Sequence, residues 1–262
     1  YERNPAINHV NQARLTPSLY GNRHRFVGTA HKRFTYGSWA TTVAAFFEYA
    51  QGGTLSEALA NEDQWEDFPI RLRVDCLMNL VYALQYCHSK GVKHRDVKPA
   101  NLCFADEEYR DVLLIDFGVA TSKVGTITSF GGTLAYCAPE YLQDQRYFDE
   151  STEVYSVGVV IFAMLTGKAY SADLEPIVEM ARDDPEYVLE AYGVFEHWEK
   201  DAAKKVASLA AACTSIEVEN RPSFEEVIKA CKPLRARLTE TTLLTKEQSM
   251  ALEQSLAMSF TG

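Results

Sequence analysis

No stretch of this chain is apolar enough to cross a membrane. The longest apolar run, residues 157–165, contains Gly158 and falls short of the roughly 20 apolar residues that a spanning helix needs. The first residues, Y-E-R-N-P, lack the charged and apolar regions of a signal peptide. The chain does not begin with Met, which predicts a cropped or processed chain or a fragment. We therefore expect no membrane span in this chain.

Basic residues are also fewer than acidic residues. The chain has 26 Lys and Arg residues against 36 Asp and Glu residues, which gives a formal net charge of −10. A surface with this balance repels nucleic acids and anionic membranes. We expect no nucleic-acid partner.

Paired cysteine motifs are absent as well. None of the six cysteines forms a C-x-x-C pair, the spacing that is typical of zinc and redox sites. Most lie among apolar neighbours, as buried free thiols do. Reduced cysteines are typical of intracellular proteins, so we expect a cytoplasmic location.

Strand patterns come first along the chain and helix patterns follow. Residues 24–50 are rich in β-branched and aromatic side chains around turn residues 37–38, which predicts strands. Thr54 and Glu57 have the spacing of a helix capping box. The apolar period predicts a buried strand at 112–115 and helices at 70–90, 152–166, 174–192, 198–213, 223–237 and 245–259.

Single residues mark the ends of these helices. We expect Ser151 or Thr152 to begin the helix at 152–166 and Gly167 to end it. Pro233 predicts a kink or break in the helix at 223–237. Strands followed by helices predict an α+β protein with a mainly helical second lobe.

The residues with the clearest chemistry lie between the helix at 70–90 and the strand at 112–115. Phosphoryl transfer needs a carboxylate that orients the attacking hydroxyl, ligands for Mg²⁺ and a cation beside the transferred group. Asp96 fits the first role, Asn101 and Asp116 the second, and Lys98 the third.

Several motifs in the correct order carry a resemblance to the eukaryotic protein kinases over about residues 7–238. They are H-R-D-V-K-P-A-N at 94–101, D-F-G at 116–118, G-T-L-A-Y-C-A-P-E at 132–140, V-Y-S-V-G at 154–158 and R-P-S-F at 221–224. The resemblance implies a kinase-like two-lobe α+β fold and an ATP-dependent protein serine/threonine kinase that uses Mg²⁺. The sequence at 154–160 is similar to that of the tyrosine-kinase-like and plant-receptor-like Ser/Thr branch.

The same resemblance implies a division of the chain and a nucleotide site. It places a partial small lobe at 1–50, the large lobe at 51–238 and a helical C-terminal extension at 239–262. Residues 46–55 look like the hinge between the lobes, with Phe47 as gatekeeper and the backbone of Glu48 and Ala50 binding adenine. The residues implied to contact the nucleotide are Phe47, Glu48, Ala50, Lys98, Asn101, Leu102 and Asp116, with Asn101 and Asp116 as the metal ligands.

Two departures from the family pattern leave an alternative open. No G-x-G-x-x-G phosphate loop occurs in the chain, and Lys32 lies too close to the hinge to be the family's strand lysine. Glu153 stands where the family has an aspartate that braces the catalytic loop, and its longer side chain either still caps the loop or slackens it. The alternative function is therefore a pseudokinase that acts as a scaffold or allosteric module. A small-molecule phosphotransferase is disfavoured, because such enzymes lack the segment at 132–140.

The resemblance also implies partners and contacts. Arg95 would bind a phosphorylated activation segment, and the phosphate would be added within residues 121–129 by an activating kinase or by self-phosphorylation. Glu140 would form a buried ion pair with Arg221. A protein is the implied substrate.

Overall fold

A computed structural model describes residues 26–36, 38–47, 50–66, 68–107, 109, 111–121, 131–144, 148–168, 171–196 and 198–238. The first two ranges, for which the backbone is described, form strands β1 (Phe26–Tyr36) and β2 (Ser38–Phe47). They pair antiparallel, with Tyr36 opposite Ser38 and Phe26 opposite Phe47. The strands predicted within 24–50 are confirmed.

Three helices follow the hairpin. Helix α1 (Leu55–Ala60) begins at the predicted capping box, in which Glu57 N donates to Thr54 Oγ1 over 3.1 Å and Thr54 N donates to Glu57 Oε2 over 2.7 Å. Helix α2 (Glu62–Glu66) is short, and α3 (Ile70–Ser89) is the long predicted helix. Gly91, just past its end, has φ 71°, a left-handed conformation that glycine adopts without steric cost.

A second small sheet follows α3. Strands β3 (Leu102–Phe104) and β4 (Val112–Leu114) pair antiparallel and are buried. The strand predicted at 112–115 ends one residue early, and Ile115 is exposed. Asp116 then turns sharply with φ 60°, which is uncommon for a residue with a side chain.

Helix α5 (Glu150–Thr166) is the centre of the core, and the short helix α4 (Pro139–Gln143) precedes it. The prediction that Ser151 or Thr152 begins α5 is wrong. Asp149 caps it, because its carboxylate accepts from Thr152 N over 3.2 Å. Gly167 ends the helix with φ 69°, as predicted. Nearly every side chain of α5 is buried, and the helix packs against α3 and against the helices that follow.

The remaining described helices are α6 (Ser171–Asp183), α7 (Pro185–Ala191), α8 (Lys200–Cys213) and α9 (224–238). The prediction of a single helix at 174–192 is therefore wrong. Pro185 lacks an N–H, and the Asp184 carboxylate accepts from Glu186 N and Tyr187 N, so a new helix begins there. The break predicted at Pro233 is absent, because α9 continues through it with Ile228 and Leu234 buried on either side. The helix predicted at 245–259 lies outside the described residues.

The predicted α+β class is confirmed, with two small antiparallel sheets and a mainly helical remainder in the described residues. All six cysteines are free and buried, also as predicted. No helix among the described residues is long and apolar enough to span a bilayer.

Candidate active site

The loop after α3 is anchored by one buried side chain, His94. His94 is fully buried, and its Nε2 lies 2.9 Å from Ile115 O. Its ring packs edge-on against Phe117, with centroids 4.8 Å apart. Burial lowers the pKa of His94, because the charged ring loses its hydration, although neighbouring carboxylates oppose the shift. A neutral His94 therefore joins the loop that carries Asp96 to the turn that carries Asp116.

The Asp96 carboxylate is surrounded by donors. Thr133 Oγ1 donates to Asp96 Oδ1 over 2.9 Å. Lys98 Nζ lies 2.8 Å from Asp96 Oδ2, and Asn101 Nδ2 donates to the same oxygen over 2.9 Å. Burial alone would raise the pKa of Asp96, but the bonds from Lys98, Thr133 and Asn101 outweigh burial and lower it. The group is therefore ionised at neutral pH.

The described donors leave one acceptor position on Asp96. An ionised carboxylate offers about four lone-pair positions, and Lys98, Thr133 and Asn101 occupy three of them. A hydroxyl group that approaches Asp96 can donate to the fourth position. This arrangement suits a residue that orients a nucleophile.

Asn101 and Asp116 offer the oxygen ligands that Mg²⁺ prefers. Asn101 Nδ2 also donates to Asp96 O over 2.7 Å, which leaves the amide oxygen of Asn101 as an acceptor. The exposed Asp116 accepts from Gly118 N over 3.1 Å through Oδ1, and Ile115 N donates to Asn101 O over 2.9 Å. No cluster of three or more His, Cys, Asp or Glu side chains in the described part could hold a metal ion. The oxygen atoms of Asn101 and Asp116 fit Mg²⁺ in their chemistry, and metal binding by these two residues stays a prediction.

Glu153 is hydrogen-bonded to the backbone of the loop that carries Asp96. It is fully buried, and Arg95 N donates to its Oε1 over 2.8 Å. Its Oε2 lies 2.6 Å from Nε2 of His88, near the end of α3. The pattern left open whether Glu153 caps or slackens the loop, and the structure shows that it caps it. The His88 contact was missed, since His88 has no motif spacing to Glu153.

The ionised form of Glu153 is stabilised by these contacts. Burial raises the pKa of a carboxyl group, but the hydrogen bond and charge of His88, with smaller contributions from His94 and Arg95 N, lower the pKa of Glu153 below its ordinary value. The buried carboxylate is thus tied to α3 on one side and to the loop on the other.

Arg95 links the loop to the activation segment. Its backbone has φ 72°, and its side chain donates to Val119 O over 3.1 Å and to Tyr141 Oη over 2.8 Å. Gly131 N in turn donates to Tyr141 Oη over 3.2 Å. Arg95 thus contacts both ends of the segment whose middle, 122–130, lies outside the described residues. Binding of a phosphate by Arg95 stays a prediction.

The ion pair between Glu140 and Arg221 is confirmed, but only Arg221 is buried, whereas Glu140 is partly exposed. Arg221 Nη1 and Nη2 lie 2.7 and 2.8 Å from the two oxygens of Glu140, a bidentate arrangement. Arg221 also donates to Ser215 O over 2.8 Å and to Ser151 O over 3.2 Å. The pair therefore joins α4, the start of α5 and the turn before α9.

Arg221→Met should lower the free energy of unfolding by about 3 kcal/mol, the lower end of the range for breaking a buried pair, since Glu140 is partly exposed. Urea denaturation measures the change. The control is Lys204→Met, which breaks the exposed pair with Glu186 and should leave the urea midpoint unchanged. Equal midpoints for Arg221→Met and the parent would contradict a structural role for the pair.

The hinge predictions fall partly outside the described residues. Glu48 and Tyr49 are not described, and Phe47 is placed only as the end of β2. Ala50 is half-buried, and two residues later Gly52 N donates to Phe104 O over 3.1 Å, which joins this segment to β3. Leu102 has no exposed surface and lies in the core. Nucleotide contacts at these positions stay predictions.

Comparison with known proteins agrees with the motifs. Residues 22–231 match the protein kinase domain family. The chain is 29% identical over 190 residues to "Putative mitogen-activated protein kinase kinase kinase 7-like" of Drosophila melanogaster, covering 70% of this chain and 46% of that protein. It is 36% identical over 124 residues to "Serine/threonine-protein kinase SBK1" of Danio rerio, covering 46% and 31%.

A plant relative shows the same pattern. The chain is 34% identical over 132 residues to "CBL-interacting protein kinase 33" of Oryza sativa subsp. japonica, covering 48% of this chain and 28% of that protein. The chain thus spans less than half of the length of these relatives. The tyrosine-kinase-like branch stays a prediction. Because the family match covers most of the sequence, the chain belongs to the protein kinase domain family.

Proposed function

We propose that this domain transfers the γ-phosphoryl group of ATP to serine or threonine hydroxyls of proteins. The observation that carries this proposal is the Asp96 carboxylate, which Lys98 and Thr133 hold with one acceptor position open. A hydroxyl that donates to that position would keep a lone pair free to attack the phosphoryl group of a bound nucleotide. Lys98 and Thr133 in contact with Asp96 are the pattern of the Ser/Thr-directed members of the family.

Each polar residue of the site has a role in this proposal. Asp96 accepts the hydrogen bond of the attacking hydroxyl and orients it in line with the phosphate. Lys98, 2.8 Å from Asp96, places a positive charge where negative charge accumulates on the transferred group. Asn101 and Asp116 would hold Mg²⁺, which when bound neutralises phosphate charge. Phe47, Glu48, Ala50 and Leu102 are the proposed adenine-side residues.

The proposal extends to partners and to the layout of the chain. Proteins are the proposed substrates. Phosphorylation within 121–129 is the proposed activating modification, and Arg95 would bind the phosphate through charge-assisted hydrogen bonds. We retain the division into 1–50, 51–238 and 239–262 as part of the proposal.

A pseudokinase is the alternative. Glu153 was one of two reasons to consider it, and its bond to Arg95 N removes the concern that the loop is slack. The other reason, the lack of a G-x-G-x-x-G loop and a strand lysine in this sequence, is independent of the described site. Nucleotide binding without phosphoryl transfer would favour the pseudokinase.

Asp116→Asn should remove the part of ATP affinity that depends on Mg²⁺. The amide is a weaker metal ligand than the carboxylate. Loss of an outer-shell partner lowers metal affinity by about 10–100-fold, and we expect the loss of ATP affinity here to be at least as large. Calorimetric titration of ATP with and without Mg²⁺ measures it. Asp173→Asn, an exposed position on α6, is the control and should bind as the parent does. Unchanged Mg²⁺-ATP affinity in Asp116→Asn would count against this metal site.

Phosphoamino-acid analysis should find label on serine and threonine. Full-length protein would be incubated with γ-labelled ATP, Mg²⁺ and a mixed protein substrate, and the hydrolysed product separated by residue type. The reason is the Lys98 and Thr133 arrangement around Asp96. Label found chiefly on tyrosine would overturn the proposed acceptor class while leaving phosphoryl transfer itself intact.

A further inference from the structure

A buried arginine at the opposite end of α3 from the catalytic loop has no acidic partner among the described residues. Arg73, on the first turn of α3, is 2% exposed. Its Nε donates to Phe68 O over 3.0 Å, and its Nη2 donates to Trp65 O and, over 3.3 Å, to Glu66 O. Among the described residues no carboxylate forms an ion pair with Arg73. A buried cation is costly unless an anion compensates it.

Two hydrogen-bond donors in this cluster have no acceptor among the residues that the structure describes. Arg73 Nη1 bonds to no described residue. Trp198 Nε1 is buried and also has no partner among the described residues. The guanidinium carbon of Arg73 lies 5.5 Å from the Trp198 ring centroid and 4.4 Å from that of Trp65. The described part of this cluster therefore lacks a hydrogen-bond acceptor, and an anionic acceptor would also compensate the positive charge of Arg73.

Arg73 lines a cavity of about 430 Å³ between α2, the end of α5 and the end of α7. This volume is within the range of small-molecule sites. Leu59, Leu165 and Val194 contribute apolar surface, and Trp65 contributes a ring. The cavity therefore combines an apolar wall with a buried guanidinium group.

The other charged residues that line the cavity are more exposed than Arg73. Glu62 and Glu66 line it but belong to exposed positions on α2, where water screens them. Lys168, at the other side of the opening, adds a second positive charge. Burial lowers the pKa of Arg73 to about 10, so the guanidinium remains charged at neutral pH.

We propose that this cavity binds a small monocarboxylate with an apolar body, whose carboxylate accepts from Arg73 and whose body packs against Trp65 and Leu165. The carboxylate supplies both the missing charge and the missing acceptor. The site lies on the opposite end of α3 from the catalytic loop, so it is separate from the proposed phosphoryl-transfer site.

Calorimetric titration of the 262-residue chain with octanoate and with octan-1-ol tests the proposal. The two probes share an alkyl body and differ in the charged head. Octanoate should bind at least about tenfold more tightly, since a hydrogen bond to a charged group is worth that factor or more. Equal binding of the two probes, or binding of neither, would overturn the proposal, because water would then satisfy Arg73.

Two matched variants locate the binding. Ala191 is exposed at the end of α7 and lines the cavity, so Ala191→Trp should obstruct the opening without disturbing the core. It should abolish octanoate binding, whereas Ala212→Trp, at an exposed position of α8, should leave it unchanged. Arg73→Lys should weaken it about tenfold if that variant folds. Octanoate affinity that survives Ala191→Trp would contradict this location.

Discussion

Asp96→Asn should slow phosphoryl transfer by about 10²–10⁴-fold, the usual contribution of a positioned acid–base group, while the protein stays folded and binds Mg²⁺-ATP. Asparagine keeps the shape and the carbonyl oxygen, so the bond from Thr133 can persist. It replaces the second oxygen with an amide that cannot accept from Lys98 or Asn101. The attacking hydroxyl then loses its charged acceptor.

The lowered pKa of Asp96 specifies what this residue does. Bonds from Lys98, Thr133 and Asn101 overcome burial and keep the carboxylate ionised, which makes it a weak proton acceptor but a constant hydrogen-bond acceptor. In a loose phosphoryl-transfer transition state, orientation of the hydroxyl matters more than early removal of its proton. We therefore expect the rate constant of transfer to fall with little change in the apparent affinity for ATP.

The control for this prediction is Asp63→Asn, an exposed position on α2. Its transfer rate should equal that of the parent protein. Single-turnover assays at saturating Mg²⁺-ATP separate the rate of transfer from binding. A rate within a few-fold of the parent in Asp96→Asn would contradict the assigned role.

Glu153→Ala should lower the free energy of unfolding by at least about 2 kcal/mol, since each of two buried donors left without an acceptor costs about 1–3 kcal/mol. The substitution leaves Arg95 N and His88 Nε2 without the acceptor that now lies 2.8 and 2.6 Å away. It also frees the backbone next to Asp96, so transfer should slow as well. Chemical denaturation measures the first effect and single-turnover kinetics the second.

Glu153→Gln is the matched variant. Its amide oxygen can still accept from Arg95 N, and its NH₂ group can donate to a neutral His88, so the loss of stability should be clearly smaller. Equal stability of Glu153→Ala and the parent would contradict the bracing role.

The same residue predicts a dependence of stability on pH. Folding lowers the pKa of Glu153 below its ordinary value of 4.5. The stabilisation from this group is therefore complete above that value and is lost as the pH falls through the lower pKa of the folded state. In Glu153→Gln this contribution should be absent, so denaturation curves from pH 7 to pH 3 should show a smaller loss of stability than the parent shows.

Contacts within one short segment, or between recognised motifs, could be predicted from the sequence. The capping box at Thr54, the left-handed Gly167 and the pair between Glu140 and Arg221 were all predicted and are confirmed. Local contacts depend on spacing alone, and the long-range pair followed from the family resemblance.

Contacts between unrelated segments could not be predicted in this way. Nothing in the spacing of His88 and Glu153 shows that helix packing brings them to 2.6 Å. The same holds for Arg73, whose contacts with Trp65 and Trp198 have no signal in the sequence. The break at Pro185 did have a local signal, an aspartate followed by proline, which the longer apolar period obscured.

Transfer of labelled γ-phosphate from Mg²⁺-ATP to a protein substrate by the full-length wild-type protein tests the central claim most directly. The site around Asp96 predicts label in the substrate that increases with time, requires Mg²⁺ and disappears in Asp96→Asn. Binding of Mg²⁺-ATP with no labelled substrate above the Asp96→Asn background would contradict catalysis and support the pseudokinase.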